Sequence, residues 1–465
     1  MKQRKRQKRG QVEIKTEYFN EVFEPGGKVR ERYHPLFEAM ERMGEKEFAT
    51  KCERASEKLR ELGATFPLPD DPEGQDRVLP ADWVPRIIPK DHREILATGL
   101  LQRGYAINAW LVDLYNGEQD VVPEEIVRSS AFYRPGPLPD YSAPVHVYGP
   151  DVMQLGPKEY VVLEDNVRVP SGVAYSEAIR RAMMEVMEDL YELYRVSAIS
   201  AYYAVLKRSL QTAAPPGVDE PCVAVVSRGE GDSAYFEHSR IAKACNVRLL
   251  TLADCEVRSG EVRDRSDGRR IDVIYRRFDE DYIETDLPEL EAVYLEGRVN
   301  IVNAPGVGVA DDKAVFPYVP AMIERYLGEK PLLKNVPTLS PVEPEGREEV
   351  LDRLHELVLK PREGSGGQGL VMGPEANRED LEDTRRELEE NPTNFVAQEF
   401  LDFSTHVLKG EDSKLDEAFI DFRAFVLPAI GYIMPGGLTR VASTDTRVVN
   451  SSAGGSFKDT WVLED

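Results

Sequence analysis

Apolar positions recur at helical spacing in the first half of the chain. Residues 16–65 alternate charged and apolar positions in steps of three and four, which predicts surface helices around a modest core. Residues 91–116 have the same pattern and predict a single helix. Residues 176–211 predict one long amphipathic helix. Between these helices, the proline-rich run 134–144 predicts a linker.

The pattern changes at residue 222. The runs CVAVVS, VRLLTL, DVIYRRF and NIVNAPG are typical of buried strands, and a helix is predicted around 236–245. Strand, helix and strand in this order predict an open α/β layer of roughly 90 residues. From residue 313 onward, short apolar runs around glycine-rich turns predict antiparallel strands, and RVVNSS is one of them. The fold class is therefore α+β with an α/β layer.

These changes of pattern set the expected domain boundaries. They separate a basic tail (1–15), a helical and mixed region (16–145), a hairpin with its long helix (146–220), the α/β layer (221–312) and a final mixed region (313–465). The charge run at 375–391 predicts a solvated helix face. The acidic stretch 403–420 is expected to be a looped insert.

Charge and cysteine content limit the classes of function. The chain has 59 lysines and arginines against 83 aspartates and glutamates, a formal net charge of −24. Such a surface repels nucleic acid and anionic lipid, so we expect neither as a partner. The four cysteines form no CxxC pair, which favours reduced thiols and a cytoplasmic protein. The basic start is followed by no apolar run, so we expect no secretory signal. The oligomeric state is left open.

A hairpin early in the chain carries oxygen-bearing side chains. Asp151 precedes one probable strand, and Glu164 and Asn166 end the next. Since side chains alternate along a strand, Glu164 and Asn166 share a face that Asp151 can reach. Two carboxylates and an amide oxygen suit Mg²⁺. A polar hairpin end that caps its own backbone is the alternative.

A lysine-bearing strand leads into a glycine-rich turn in LVLKPREGSGGQGLVMG. Lys360 ends the strand, and the turn spans 364–369. Glycine lets backbone N–H groups approach phosphate oxygens, although an ordinary flexible turn remains possible. Farther on, Gln398 and Glu399 in VAQEFL form a hinge that can present hydrogen bonds to an adenine edge. On its own this hinge is a weak signal.

Basic residues also occur beside glycine-rich and apolar segments. The set consists of Arg168, Lys313, Arg423, Arg440 and Lys458. Arginine offers a planar fork of donors that suits phosphate and carboxylate oxygens. Each residue alone is more simply a surface or ion-pair residue. Their recurrence in an acidic chain instead indicates a local anion site.

The α/β layer offers candidates for a substrate site. One strand ends in Tyr275, Arg276 and Arg277. Ligands favour the carboxyl ends of such strands, so these residues can hold a substrate carboxylate. An ion pair between arginine and Asp279 is the alternative. Glu237 and His238 open the predicted helix and are expected to line the same crevice.

Together these segments resemble the circularly permuted ATP-grasp family, type 2, which is distantly related to glutathionylspermidine synthetase. The resemblance runs from about Tyr18 to Leu463. It is carried by VVLEDNVRVPSG (161–172), VIYRRFDED (273–281), NAPGVGVADDKAVFPYVP (303–320), LKPREGSGGQG (359–369), MPGGLTRVA (434–442) and VNSSAGGSFKDTWVL (449–463). It implies a circularly permuted ATP-grasp fold, because the Glu164 strand comes before the lysines.

The resemblance implies a role for each matching position. Magnesium ligands correspond to Asp151, Glu164 and Asn166. Nucleotide contacts correspond to Lys313, Lys360, Gln398, Glu399 and Lys458. A flap over the phosphates corresponds to Gly364, Ser365, Gly366, Gly367, Gln368 and Gly369. Contacts to the transferring phosphoryl group correspond to Arg423, Arg168 and Arg440.

The implied activity is an ATP- and Mg²⁺-dependent carboxylate–amine ligase that works through an acyl phosphate. Its partners would be a small-molecule or peptide carboxylate and an amine acceptor. A nucleotide-binding protein without catalysis and an ATP-grasp phosphotransferase remain as alternatives. The acid and the amine cannot be read from the residues.

Overall fold

The structure is a computed structural model that describes residues 18–65, 78–136, 138–139, 143–364, 369–409, 415–443, 447, 449 and 455–465. The α-helices are α1 (His34–Met43), α2 (Glu45–Glu61), α3 (Lys90–Asn116), α4 (Glu124–Arg128), α5 (Val173–Val186), α6 (Glu188–Tyr191), α7 (Tyr202–Gln211), α8 (Tyr235–Cys245), α9 (Asp281–Asp286), α10 (Glu289–Leu295), α11 (Val319–Met322), α12 (Pro344–Asp352) and α13 (Arg378–Glu390).

The β-strands are β1 (Ala81–Ile88), β2 (Asp151–Gly156), β3 (Glu159–Glu164), β4 (Val223–Ser227), β5 (Arg248–Thr251), β6 (Cys255–Arg258), β7 (Glu261–Asp264), β8 (Arg270–Ile271), β9 (Val273–Arg277), β10 (Asn300–Val302), β11 (Lys334–Asn335), β12 (Thr338–Leu339), β13 (Leu357–Pro361), β14 (Val371–Met372), β15 (Phe395–Glu399), β16 (Thr405–Lys409), β17 (Leu415–Arg423), β18 (Val426–Leu427), β19 (Tyr432–Ile433), β20 (Leu438–Val441) and β21 (Ser456–Val462).

A large sheet joins the early and late parts of the chain. Its order is β1-β21-β20-β17-β2-β3-β11, and β16 also pairs with β17. The early hairpin β2–β3 lies antiparallel to β17, with Asp151 opposite Arg423. The next pairing places Asp421 of β17 opposite Arg440 of β20. The register therefore brings the charged side chains of four residues together at one place in the sheet: Asp151, Asp421, Arg423 and Arg440.

Helices pack against this sheet. Helix α5 packs against both β21 and α2. Trp461 of β21 is fully buried in the same core and contacts the rings of Tyr191 and Tyr194. Large aromatic rings contribute much of the apolar area that a core removes from water. The predicted helices in 16–65 and 91–116 are confirmed by α1, α2 and α3.

The expected α/β layer is confirmed. Strands β10, β9, β4 and β5 form a parallel sheet in this order. Helix α8 packs against both β4 and β5. Since the strands are parallel, their carboxyl ends lie at one edge, where ligands bind in sheets of this type. A small antiparallel sheet, β6-β7-β8, is formed by the connection between β5 and β9.

A separate antiparallel sheet carries the glycine-rich segment. Its order is β12-β15-β13-β14, as expected for antiparallel strands after residue 313. Val358 of β13 pairs with Gln398 of β15, two positions before Lys360 on the same strand. Helix α13 confirms the solvated helix predicted at 375–391, and it buries only Thr384 and Leu388. The pairing brings the predicted phosphate and adenine contacts onto neighbouring strands.

Two local predictions were wrong. Residues 176–211 do not form one helix but α5, α6 and α7. The first break is at Met187, whose backbone leaves the helical region (φ −115°) as its side chain becomes fully buried. Residues 403–420 are no looped insert, because β16 and β17 pair there. Buried Val407 and Ile420 outweigh the acidic residues around them. The predicted strand RVVNSS lies largely outside the described residues.

Two further observations concern the whole chain. Within the described residues, no helix combines the length and the apolar character needed to cross a bilayer. None of the four cysteines, all of which lie in the described residues, is in a disulfide, and Cys245 and Cys255 are buried.

A buried ion pair ties the N-terminal segment to the large sheet. Arg86 of β1 donates to both carboxylate oxygens of Glu21 at 2.9 and 2.6 Å, and both side chains are 1% exposed. The Ser404 hydroxyl donates to the same carboxylate at 2.6 Å. Burial alone would raise the pKa of Glu21. The charge and the hydrogen bonds of Arg86 outweigh burial and hold that pKa below its ordinary value.

We expect Glu21→Gln to lower the free energy of unfolding by about 3–5 kcal/mol at pH 7, because the Arg86 charge stays buried without its partner. Urea denaturation measures the change. Glu382→Gln is the control, since the Arg378–Glu382 pair is 93% and 60% exposed, and it should cost no more than about 0.5 kcal/mol.

The pH dependence checks the cause. The folded-state pKa of Glu21 is depressed, so the stabilisation is present above the ordinary carboxyl pKa and is lost as pH falls through the folded value. The difference between wild type and Glu21→Gln should therefore shrink in acid. A difference that stays constant down to pH 3 would contradict the ion-pair explanation.

Candidate active site

A cavity of about 630 Å³ lies where the large sheet, the α/β layer and the antiparallel sheet β12-β15-β13-β14 meet. Among the described residues, nine arginines and lysines and eight aspartates and glutamates line it. The whole chain has 59 basic and 83 acidic residues, so the cavity wall is locally enriched in cations. Low-dielectric walls strengthen the field of such charges, which favours an anionic ligand.

The structure brings the predicted magnesium set together. Asp151 begins β2 and pairs with Glu164 at the end of β3. Asn166 follows two residues later, and all three line the cavity. The Asn166 amide donates to the Gly149 carbonyl at 3.1 Å. Because that bond uses the amide nitrogen, the side-chain oxygen remains as a possible ligand for a hard cation.

Two arginines hold the Asp151 carboxylate. Arg423 donates to both of its oxygens at 2.7 Å, and the Arg440 guanidinium lies 2.9 Å from one of them. Arg440 also binds Asp421 through a fork of two hydrogen bonds. Burial raises the pKa of Asp151, but the charges of Arg423 and Arg440 outweigh burial and hold it below its ordinary value. Asp151 therefore positions both arginines at the cavity.

Two lysines complete this end of the cavity. Lys313 Nζ lies 2.9 Å from a Glu164 oxygen and donates to the Gly364 carbonyl at 2.5 Å. No described residue makes a hydrogen bond or an ion pair with the ammonium group of Lys360. Burial lowers the pKa of Lys360 to about 8, and the nearby Lys313 charge adds to this effect. An ammonium group without a partner, close to a carboxylate–lysine pair, suits a phosphate oxygen.

The predicted adenine hinge also faces the cavity. Gln398 is 2% exposed and donates to Thr338 Oγ1 at 3.1 Å. Its side-chain oxygen is buried without a partner among the described residues. Glu399 is held by Arg353 at 2.7 Å. A buried acceptor without a donor fits an amino group such as that of adenine. Apolar wall residues stand nearby: Met153, Leu163, Val336, Val358, Leu370 and Met372.

The residues fit ATP with Mg²⁺. Within the described chain, no group of three or more histidine, cysteine, aspartate or glutamate side chains forms a complete metal site. The Asp151 carboxylate, predicted as a third ligand, is engaged by Arg423 and Arg440. The Glu164 carboxylate and the Asn166 amide oxygen remain, and phosphate oxygens would complete the coordination, as Mg²⁺ usually requires.

Arg168 stands at the border with the α/β layer. Its guanidinium lies 4.3 Å from the centre of the Phe132 ring and 3.5 Å from Asp279. Its backbone N–H, like that of Val167, donates to Asp311. Burial raises the pKa of the Asp311 carboxyl to about 7. The partner of Asp279 is thus Arg168, whereas the sequence suggested an arginine of the 275–277 run.

Lys458 does not belong to this site. It lies on β21 with no exposed surface, and it binds Asp82 and the Val84 carbonyl of the neighbouring β1. It is absent from the described residues that line the cavity. The predicted contact with the nucleotide is therefore not supported, because β1 supplies the counter-charge of this lysine.

The substrate candidates divide into two groups. Arg277 and His238 line the cavity, while the other three are buried behind it. Arg276 donates to the Asn303 carbonyl at 2.7 Å, and Tyr275 is 3% exposed. Glu237 is fully buried, where it binds Arg277 at 3.0 Å and accepts from two backbone amides at the start of α5. Those three residues hold elements together and cannot contact a substrate.

The predicted flap lies largely outside the described residues. Ser365, Gly366, Gly367 and Gln368 are not described, and Gly364 lines the cavity. Gly369 has a φ of +69°, and a Cβ there would lie 2.8 Å from Pro361. Only glycine accommodates both conditions.

Asp421 and Arg228 also line the cavity and were not selected from the sequence. For Asp421 a signal exists, since it lies two positions before Arg423 on a strand and must share its face. Arg228 follows β4 directly, and a basic residue at the carboxyl end of a parallel strand is a usable signal as well.

Known proteins resemble this chain over nearly its whole length. An uncharacterized protein of Synechocystis sp. is 38% identical over 96% of this chain and 97% of its own length. A Frankia casuarinae protein named "Putative glutamate--cysteine ligase 2-2" is also 38% identical over 96% of this chain, which covers 53% of that protein.

A solved structure shares the fold. The glutathione synthetase-like effector GSS30 of Globodera pallida superposes with a TM-score of 0.54 at 11% identity, over 90% of this chain and 98% of that one. The sequence also matches the family described as "Circularly permuted ATP-grasp type 2" over residues 85–442. The chain therefore belongs to the circularly permuted ATP-grasp type 2 family, and it has the mixed α+β fold of that family.

Proposed function

We propose that this protein is an ATP- and Mg²⁺-dependent ligase that joins a carboxylate to an amine through an acyl phosphate. One observation carries the proposal: Asp151, Glu164 and Asn166 line the same cavity as Lys313 and Lys360. The hairpin and the two lysines come from distant parts of the chain, so their meeting is a property of the fold. Membership of the ATP-grasp family supports the choice of nucleotide.

The nucleotide would lie between the hinge and the lysines. The unpartnered oxygen of Gln398 would accept a hydrogen bond from the adenine amino group. The apolar wall would cover the faces of the ring. Lys360, which has no partner among the described residues, and Lys313 would hold the phosphates. Glu164 and Asn166 would hold Mg²⁺, and bound Mg²⁺ would neutralise and orient the phosphate oxygens.

Activation is needed because a carboxylate has no good leaving group. The γ-phosphoryl group of ATP would move to a carboxylate oxygen, which gives ADP and an acyl phosphate. An amine nitrogen would then attack the acyl carbon, inorganic phosphate would leave, and the nitrogen would lose a proton. Arg423 and Arg440, fixed by Asp151, would offset the charge on the transferring group.

The family does not define the acid or the amine. The Frankia relative carries a glutamate–cysteine ligase name, but this chain covers 53% of it. That name therefore suggests an amino-acid substrate only as a hypothesis. An ADP-release screen across amino acids, short peptides and polyamines addresses the question.

We expect Glu164→Gln and Lys360→Ala each to lower ATP-dependent ligation by about 10²–10³-fold. The first removes a carboxylate that would hold the Mg²⁺ that orients the phosphates, and the second removes a cation that would hold the phosphates themselves. ADP release in the presence of an amine acceptor measures the rate. Lys158→Ala is the control, because Lys158 pairs with Asp91 at the surface with 61% of its side chain exposed. Wild-type rates in both site variants, with melting temperatures unchanged, would rule out the proposed site.

Lys360 should make ATP binding sensitive to pH. Its pKa is about 8 without nucleotide, so the lysine loses its proton as pH rises from 7 to 9. Bound phosphate favours the protonated form, and the dissociation constant for ATP should rise by up to about tenfold per pH unit above that pKa. Arginine stays protonated in this range, so Lys360→Arg should show a flatter profile. Equal profiles, measured by isothermal titration calorimetry, would contradict this role.

Hydroxylamine distinguishes the ligase from other ATP-grasp activities. It should trap the acyl phosphate as a hydroxamate when ATP and the acid are present without the amine. A protein that only binds nucleotide yields neither hydroxamate nor ADP. A phosphotransferase yields a phosphorylated product that gives no hydroxamate.

A further inference from the structure

One arm of the cavity is left unused by the proposed nucleotide and magnesium site. We call it the acceptor arm, and it consists of Arg228, Asp232, Ser233, Ala234, His238 and Arg277. These residues follow the carboxyl ends of β4 and β9 or open α8. Ligands of open parallel sheets bind at this edge. The acceptor arm is thus placed to hold a second reactant beside the phosphates.

The hydrogen bonds of His238 fix its tautomer. His238 Nδ1 lies 2.9 Å from Ser227 Oγ, and the Gly229 N–H donates to the same oxygen at 3.1 Å. Gly229 has a φ of +93°, which turns its N–H back onto Ser227. Among the described residues, Nδ1 is the one acceptor for the Ser227 hydroxyl hydrogen. The Ser227 hydroxyl therefore donates to Nδ1, and the ring hydrogen is on Nε2.

The Nε2–H group of His238 lacks a partner. His238 is 2% exposed and lines the cavity. Nε2 makes no hydrogen bond with any described residue. Burial, followed by the charge of Arg277, lowers the pKa of His238 to about 2, so the ring is neutral under all ordinary conditions. A neutral donor of fixed direction remains for an acceptor atom of a ligand.

Arg228 supplies a positive charge in the same arm of the cavity. Its guanidinium stacks over the Tyr282 ring at 4.4 Å, and it has no carboxylate partner within the described chain. Arg277, by contrast, is neutralised by Glu237 at 3.0 Å. Helix α8 begins within the arm at Tyr235, and the Ala234 N–H at its start donates to the Asp232 carboxylate at 2.8 Å. The later N–H groups of the first turn contribute a partial positive charge on the side of Arg228.

We infer that the acceptor arm binds a carboxylate group other than the one that is activated, through Arg228 and the Nε2–H of His238. The role within a ligation reaction rests on the proposed function. Ser227 is a positioning residue, because it fixes the tautomer of His238. The substrate that enters this arm is then an amino acid or a peptide with a free carboxylate, and a polyamine does not fit.

Nuclear magnetic resonance of the full chain with ¹⁵N-labelled histidine tests the donor. Long-range ¹H–¹⁵N spectra should show His238 as the Nε2–H tautomer, and Ser227→Ala should abolish this preference. An Nδ1–H tautomer in the wild type would overturn the inference.

Binding is tested with the same protein, Mg²⁺ and a non-hydrolysable ATP analogue. The probes are the L-amino acids, glycyl dipeptides, the carboxamide of each, and spermidine. At least one free acid should shift the His238 resonances, and its carboxamide should bind at least tenfold more weakly. The inference fails if no acid shifts them or if acid and amide bind equally.

Arg228→Gln should weaken the binding of that acid by at least tenfold and leave the affinity for the ATP analogue unchanged. Arg258→Gln is the matched control, an exposed arginine of the same layer that does not line the cavity, and it should change neither affinity. Acid binding that survives Arg228→Gln at wild-type strength would overturn the inference.

The two proposals fail in different ways. ADP release could be equal with spermidine and with amino acids, and unchanged in Arg228→Gln. That result would support a ligase and overturn the inference about the acceptor arm. A specific response of His238 to an acid, without ADP release or hydroxamate for any probe, would support the acceptor arm and count against the proposed function.

Discussion

The buried carboxylate of Asp151 is the interaction on which both the large sheet and the cavity depend. It accepts hydrogen bonds from Arg423, 272 positions later in the chain, and it contacts Arg440 on the next strand. An unpaired charge at this depth would cost several kcal/mol, so the three strands β2, β17 and β20 must assemble together. The pairing that completes the sheet is therefore also the pairing that orients the arginines of the proposed site.

An acidic protein with a proposed site for a polyanion has to separate two electrostatic tasks. The formal net charge of −24 keeps the surface soluble and repels other polyanions. Inside the cavity the carboxylates are used mainly to hold cations: Asp151 holds two arginines, Glu164 holds Lys313, and Glu237 behind the wall holds Arg277. Lys360 and Arg228 have no such partner within the described chain. We place the phosphates at Lys360 and the substrate carboxylate at Arg228. In the proposed site, the paired cations form the wall, and the unpaired cations would contact the ligands.

The sequence predicted those features that local pattern decides. Helical spacing located α3 and buried apolar runs located β4 and β9, while Glu164 at the end of β3 and Asn166 two positions beyond it both line the cavity. Features that depend on a distant partner were missed. The sequence predicted that Lys458 contacts an anionic ligand, but its ammonium group is bound by Asp82 of β1. The charges before Ile420 suggested a loop, but pairing with the central sheet decides its structure. Which strand lies opposite a residue is set by tertiary contacts, and one sequence does not reveal it.

The parallel pairing of β1 with β21 has a consequence for the timing of folding. Residues 456–462 fill the gap between a strand formed by residues 81–88 and β20. A growing polypeptide therefore carries β1 without its partner β21 until residues 456–462 have been made. Contacts of such long sequence separation form slowly, and exposed strand edges in the meantime invite aggregation. Assembly of the large sheet must wait until residues 456–462 have been synthesised, and loss of that strand would leave β1 and β20 as open edges.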